Sequence, residues 1–196
     1  LPPQNQDYFA AISKTTDGGK TWTKQFESKG KFYLQSVECS PTNPDHCCTV
    51  GEGFTNTPPA STAPGGYIFC THDGKTWNQT WFQAAEGKVM VSMGKIQFLS
   101  DLEIWAVGGY LGGLPKGPLM MHSLDGGKTW TNGAEGAKFT GVGFDIAMTS
   151  ATNGYATIIN PVTSESSVAK FTSGSVPPPP PAPHGETHYG DPNAGP

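Results

Sequence analysis

The sequence predicts an all-β protein assembled from repeated antiparallel sheets, and three observations support this. A short phrase recurs as TTDGGKTW, THDGKTW and SLDGGKTW, beginning at Thr15, Thr71 and Ser123. Short alternating apolar runs accompany the copies, and 26 glycines with 18 prolines favour tight turns over long helices. The aspartates of the phrase are 56 and then 52 residues apart, and a period near fifty is typical of stacked supersecondary units.

Each repeat unit is predicted to contain four strands. Hairpins are expected at Val37–Gly53, Ile96–Tyr110 and Ile146–Asn160, because a polar turn separates two β-rich runs in each. Third strands follow at Tyr67–Cys70 and Leu119–His122, and the repeated phrase then leads the chain into a fourth strand. Counted along the chain, the units predict two, four, four and three strands.

The phrase S/T-x-D-x-G-x-T-W resembles the Asp-box, or BNR repeat, of sialidases, sortilin-type receptors, some glycoside hydrolases and photosystem II assembly factors. The first and third copies match fully, whereas the second lacks one residue between Asp73 and Gly74. The resemblance covers about Tyr8 to Thr172, and the run before the third copy is most similar to the assembly-factor type of blade. It implies a β-propeller with four-stranded blades, of which three to four are present. A closed propeller normally needs more, so we expect a larger propeller or one completed by a partner chain.

The box residues are expected to serve the fold. Each Asp should accept hydrogen bonds from the turn, each Gly should allow a positive φ, and each Trp should cover the turn and fill space between layers. A residue that recurs at the same place in every unit is usually structural, so no catalytic role is assigned to this set. The set comprises Asp17, Gly19, Trp22, Asp73, Gly74, Trp77, Asp125, Gly127 and Trp130.

The chain divides into residues 1–172, the propeller blades, and residues 173–196, a proline-rich extended tail. The run Pro177–Pro181 is predicted to be a polyproline II rod, and we favour a spacer over a ligand for an aromatic groove. His184 and His188 in this tail are the only metal candidates, and neither a metal nor another cofactor is expected because the tail offers no rigid scaffold.

Composition argues against several functions. The net charge is −4, so no basic footprint for nucleic acid is present, and no apolar run is long enough to span a membrane. All twelve basic residues are lysine. Sialidases grip a carboxylate with clustered arginines, so sialidase activity is not expected of this chain. The missing arginine also weakens the resemblance to assembly factors, of which a basic arginine patch is typical.

Four cysteines within 32 residues favour disulfides, an oxidising compartment and therefore a secreted or extracellular location. The sequon at Asn78 agrees, and predicts glycosylation there. Two pairings are open: Cys39–Cys48 with Cys47–Cys70, or Cys39–Cys47 with Cys48–Cys70. Alignment of the hairpins favours the first slightly.

Long loops within the blades are expected on the propeller face opposite the boxes. Phe54, Trp81 and Tyr110 are the candidates for a ligand face there, with packing as loop anchors as the alternative. Glu52 and Glu86 are carboxylates near the same loops, but nothing in their spacing marks a catalytic pair.

The sequence therefore favours a non-catalytic secreted or cell-surface module for structural assembly or for protein or glycan recognition. We expect a protein partner or self-association. A fragment of a carbohydrate-active enzyme of the glycoside hydrolase type and a photosystem assembly factor-like protein are the alternatives.

Overall fold

A computed structural model describes residues 9–29, 32–53, 64–87, 89–111, 117–133 and 140–172. Within these residues there are thirteen β-strands and no helix, which confirms the all-β prediction. The strands form four antiparallel sheets, numbered I to IV in chain order, with two, four, four and three strands. Phe54 and the tail from residue 173 onward, with His184 and His188, lie outside the described residues.

Within each sheet every strand pairs with its neighbours in sequence. Sheet I contains β1 (Phe9–Lys14) and β2 (Thr23–Lys29). Sheet II contains β3 (Phe32–Cys39), β4 (Cys47–Gly53), β5 (Gly65–Thr71) and β6 (Asn78–Ala84). Sheet III contains β7 (Met90–Phe98), β8 (Ile104–Leu111), β9 (Leu119–Ser123) and β10 (Thr131–Asn132). Sheet IV contains β11 (Val142–Ser150), β12 (Asn153–Ile159) and β13 (Ser166–Thr172).

The sheets pack in succession, and the first strand of each lies against the sheet before it. Strand β7 contacts β3, β4 and β5, and β11 contacts β7, β8 and β9. Three apolar clusters fill the spaces between sheets I and II, II and III, and III and IV. Since side chains alternate along a strand, sheet III supplies two of these clusters from opposite faces. Ile104 and Ala106 join the cluster with sheet II, and Trp105 and Val107 join the cluster with sheet IV.

Side-chain hydrogen bonds at one repeated position tie the first strands together. Glu38 and Gln97 each stand one residue before the end of a first strand. Glu38 Oε1 accepts a bond from the Phe98 amide at 3.3 Å, and Gln97 Oε1 accepts one from the Met148 amide at 2.7 Å. Gln97 Nε2 also donates to the Met148 carbonyl at 3.2 Å. The seams between sheets are therefore fixed by polar contacts as well as by apolar packing.

The four cysteines form two disulfides, Cys39–Cys47 and Cys48–Cys70. The pairing that the sequence slightly favoured, Cys39–Cys48 with Cys47–Cys70, is wrong by one residue of register. Cys39 lies directly opposite Cys47 on β3 and β4, while Cys48 lies opposite Cys70 on β5. Because neighbouring residues on a strand point to opposite faces, Cys47 and Cys48 form their bonds on different sides of sheet II.

No helix within the described ranges is long and apolar enough to cross a membrane.

Candidate functional site

The first and third boxes use the same hydrogen bonds. In the first, Asp17 Oδ1 accepts a bond from the Thr21 amide at 2.9 Å, and Oδ2 accepts one from the Thr21 hydroxyl at 2.6 Å. In the third, Asp125 accepts the corresponding bonds from Thr129 at 2.9 and 2.6 Å. Each carboxylate therefore spans its own turn and pins the entry to the following strand.

The second box makes a turn that is one residue shorter. Asp73 Oδ1 accepts bonds from the amides of Lys75 at 2.9 Å and Thr76 at 2.7 Å. Gly74 sits in the left-handed region with a φ of 63°, and a Cβ there would lie 2.4 Å from Asp45 Oδ1. This position favours glycine because of its backbone conformation.

The box carboxylates are held in the ionised form. Bonds from the Thr21 hydroxyl and amide lower the pKa of Asp17 to about 2. Bonds from the Thr76 and Lys75 amides bring the pKa of Asp73 well below its ordinary value. Burial opposes ionisation of Asp125, but the bonds from Thr129, Ser123 and Lys128 together outweigh it, and its pKa is also lowered. Carboxylates of this kind are poor proton donors near neutral pH.

The tryptophans of the second and third boxes reach back to the preceding sheet. Trp77 Nε1 donates to Gln25 Oε1 on β2 at 3.3 Å, and Trp130 Nε1 donates to Thr80 Oγ1 on β6 at 3.1 Å. Trp22 only covers its own turn, donating to the Gly19 carbonyl at 3.1 Å, and is 62% exposed. The expectation that every box tryptophan fills space between layers is wrong for Trp22, because no described sheet precedes sheet I.

Two histidines meet at the seam between sheets II and III. The rings of His46 and His72 stack with centroids 4.4 Å apart, and each Nε2 donates to the Gly126 carbonyl, at 2.8 and 2.9 Å. Burial lowers the pKa of His46 from its ordinary value of 6.5, and the charges of His72 and Lys128 act in the same direction. The Gly126 bond and the charge of Asp101 oppose this. The surroundings of His46 therefore favour its neutral form.

Sequence reasoning missed this pair. His46 lies in the turn before β4 and His72 lies inside the second box, so no local sequence pattern links the two. The only signal was that both adjoin the same end of sheet II. A third histidine, His122, stacks on Trp105 with centroids 3.8 Å apart and bonds Glu103 at 3.0 Å.

The predicted ligand-face residues that the structure describes do not form a patch of exposed aromatic side chains. Trp81 and Tyr110 are partly buried and pack against the cluster between sheets II and III, which favours the loop-anchor alternative. Glu52 lies next to the last residue of β4, opposite Gly66 of β5. Its side chain is 2% exposed, and no described residue gives its Oε2 a hydrogen bond. Burying a carboxyl oxygen without a partner is costly, so Glu52 is the most unusual acidic group of the described chain.

Glycosylation and metal binding remain to be considered. Asn78, the sequon residue, begins β6 and is exposed, so a glycan would have room there. Across the described residues, no group of three His, Cys, Asp or Glu side chains is arranged to hold a metal ion.

Comparison with known proteins adds no assignment: no family model matches the chain, and no match is found among curated proteins or solved structures.

Proposed function

We propose that this chain is a non-catalytic Asp-box β-propeller module, secreted or displayed at the cell surface, that recognises a protein through an uncovered sheet face. The spacing of the three boxes and the successive packing of the four sheets support the propeller. The ionised box carboxylates, each engaged in its own turn, support a structural role for the repeated acidic residues.

The observation that carries the proposal is that sheet IV is buried on only one of its two faces. Every residue of β4 is buried, as is most of β8, because sheets II and III are covered on both faces. Strand β12 instead alternates between exposed and buried residues. One face of sheet IV packs on sheet III. No described sheet covers the other face, which leaves Tyr155 of β12 48% exposed and Val168 of β13 69% exposed.

The neighbouring sheets indicate what fits this face. Sheet II is covered by β7 and sheet III by β11, each the first strand of an antiparallel sheet. The open face of sheet IV therefore matches a further antiparallel sheet, and a second copy of this chain is the occupant to test first. Exposed apolar side chains on an uncovered sheet are a recognised basis for association.

The experiment is light scattering on the purified chain over a range of concentrations. We expect self-association that Val168→Lys weakens, since a charge there would be desolvated on docking. Leu102→Lys is the matched control, because Leu102 is equally exposed but lies in the turn between β7 and β8. A wild-type chain that remains monomeric at every concentration would refute self-association through this face.

Glu52 supports a second candidate, a carbohydrate-active enzyme of the glycoside hydrolase type. Such enzymes need a carboxyl group shielded from water that exchanges a proton with the glycosidic oxygen. The test is turnover on a panel of glycans, with Glu52→Gln expected to abolish it. Glu86→Gln is the control, because Glu86 is exposed. Absence of turnover in the wild type, or full activity of Glu52→Gln, would reject this candidate.

A further inference from the structure

A cleft of about 510 Å³ lies where the first and second boxes meet, between sheets I and II. Its walls carry the side chains of three lysines and three threonines, and no carboxylate of the described residues lines it. These residues are Lys14, Lys24, Lys75, Thr16, Thr21 and Thr23. The cleft has the volume of an ordinary small-molecule site and is rich in hydrogen-bond donors.

The cleft has a fixed floor. Gln25 of β2 also lines it, and its Nε2 donates to the Gly74 carbonyl in the second box. The Oε1 of the same amide accepts the bond from Trp77 Nε1. One side chain therefore joins sheet I to the box of sheet II, so the two walls are positioned before any ligand arrives. Preorganisation of this kind reduces the ordering cost of binding.

The described lining of the cleft carries three ammonium groups, while the ionised Asp17 and Asp73 lie in the same two boxes. Lys14 pairs with Asp45 and Lys24 with Glu27, and all four side chains are at least partly exposed. Exposed pairs of this type contribute only about 0–1 kcal/mol, so an incoming anion can compete for the ammonium groups. Lys75 has no carboxylate partner among the described residues.

The donors define the chemistry of the ligand. Lysine ammonium groups act as point charges, and hydroxyl groups donate in adjustable directions. This combination suits the spread oxygens of a tetrahedral oxyanion, whereas planar carboxylates are gripped best by the arginine fork that this chain lacks. We propose that the cleft binds a sugar-sized ligand through a sulfate or phosphate monoester. Lys75 and Lys24 contact the oxyanion, and the threonines contact the hydroxyl groups of the ligand.

The test is calorimetric titration of the full chain, at low ionic strength, with glucose 6-sulfate, glucose 6-phosphate and uncharged glucose. At least one ester should bind at one site per chain, and glucose should not. Lys75→Gln should weaken that binding by about tenfold or more, and added salt should weaken it further.

Lys128→Gln provides the matched control, because Lys128 occupies the equivalent place in the third box and does not line the cleft. It should bind like the wild type. The proposal is overturned if neither ester binds, if glucose binds as well as the esters, or if the two lysine variants lose affinity equally. The relative affinity of the two esters decides between sulfate and phosphate. The cleft and sheet IV are separate surfaces, so failure of either test leaves the other standing.

Discussion

Removing the two disulfides one at a time should have unequal effects, and the structure gives the magnitudes. Cys48–Cys70 closes a separation of 22 residues and Cys39–Cys47 closes one of 8. Loop-closure entropy then predicts losses of about 3.4 and about 2.5 kcal/mol in the free energy of unfolding. Both sulfurs of the longer bridge also belong to the cluster between sheets II and III, with no exposed surface.

Truncating these buried cysteines to alanine should therefore cost at least about 1 kcal/mol more through lost core contacts. In the shorter bridge Cys39 is exposed, and Cys47 is buried but belongs to none of the three apolar clusters. The double variants Cys48→Ala/Cys70→Ala and Cys39→Ala/Cys47→Ala should differ by about 2 kcal/mol in urea unfolding. An equal or reversed loss would refute the reasoning.

The same variants test the pairing itself by thiol titration. Because the structure joins Cys48 to Cys70, the Cys39→Ala/Cys47→Ala variant should have no free thiol in the folded state. Two reactive thiols per chain would instead indicate the alternative pairing.

Three further predictions concern seams and turns. Gln97→Ala should lower the free energy of unfolding by about 1–3 kcal/mol, because it leaves the buried Met148 amide without its acceptor. Gly127→Ala should destabilise more than Gly18→Ala in thermal unfolding. Both glycines have a positive φ, but only at Gly127 would a Cβ meet the disulfide sulfurs, at 2.7 and 3.0 Å. Stability should fall as pH drops below about 6.5, because the fold lowers the pKa of His46, and the unfolded chain therefore binds more protons there.

Each of these has a control and a contrary result. Gln79→Ala, on exposed β6, should be nearly neutral, and an equal loss there would show that the Gln97 bonds contribute nothing specific. Equal destabilisation by the two glycine variants would mean that backbone strain alone matters. For the pH dependence, His46→Asn should flatten the decrease measured by urea unfolding between pH 7.5 and 5.5. An unchanged decrease would assign the effect to other groups, such as His122, whose pKa burial also lowers.

Local sequence pattern was enough to predict the strands. Alternating apolar runs and polar turns report on residues within a few positions of one another, so the two, four, four and three strands could be counted without coordinates. The fourth strands begin one or two residues later than expected, with β6 at Asn78 and β10 at Thr131. The first strands of the three predicted hairpins begin four to six residues earlier than expected, at Phe32, Met90 and Val142.

Contacts between repeat units could not be predicted from local sequence pattern. Whether a box tryptophan is buried depends on the sheet that precedes it, which is why Trp22 and Trp130 differ although their boxes have the same pattern. The lysine cleft likewise joins side chains from two boxes about fifty residues apart.

By itself, the sequence determined an all-β chain of repeated antiparallel sheets, because strand and turn preferences depend on near neighbours. Only the tertiary structure decided the disulfide pairing, the stacking of His46 on His72 and the burial of Glu52 with its Oε2 unpartnered among the described residues. Each of these depends on strand register and on which sheet faces meet, and a shift of one residue reverses the direction of every side chain on a strand.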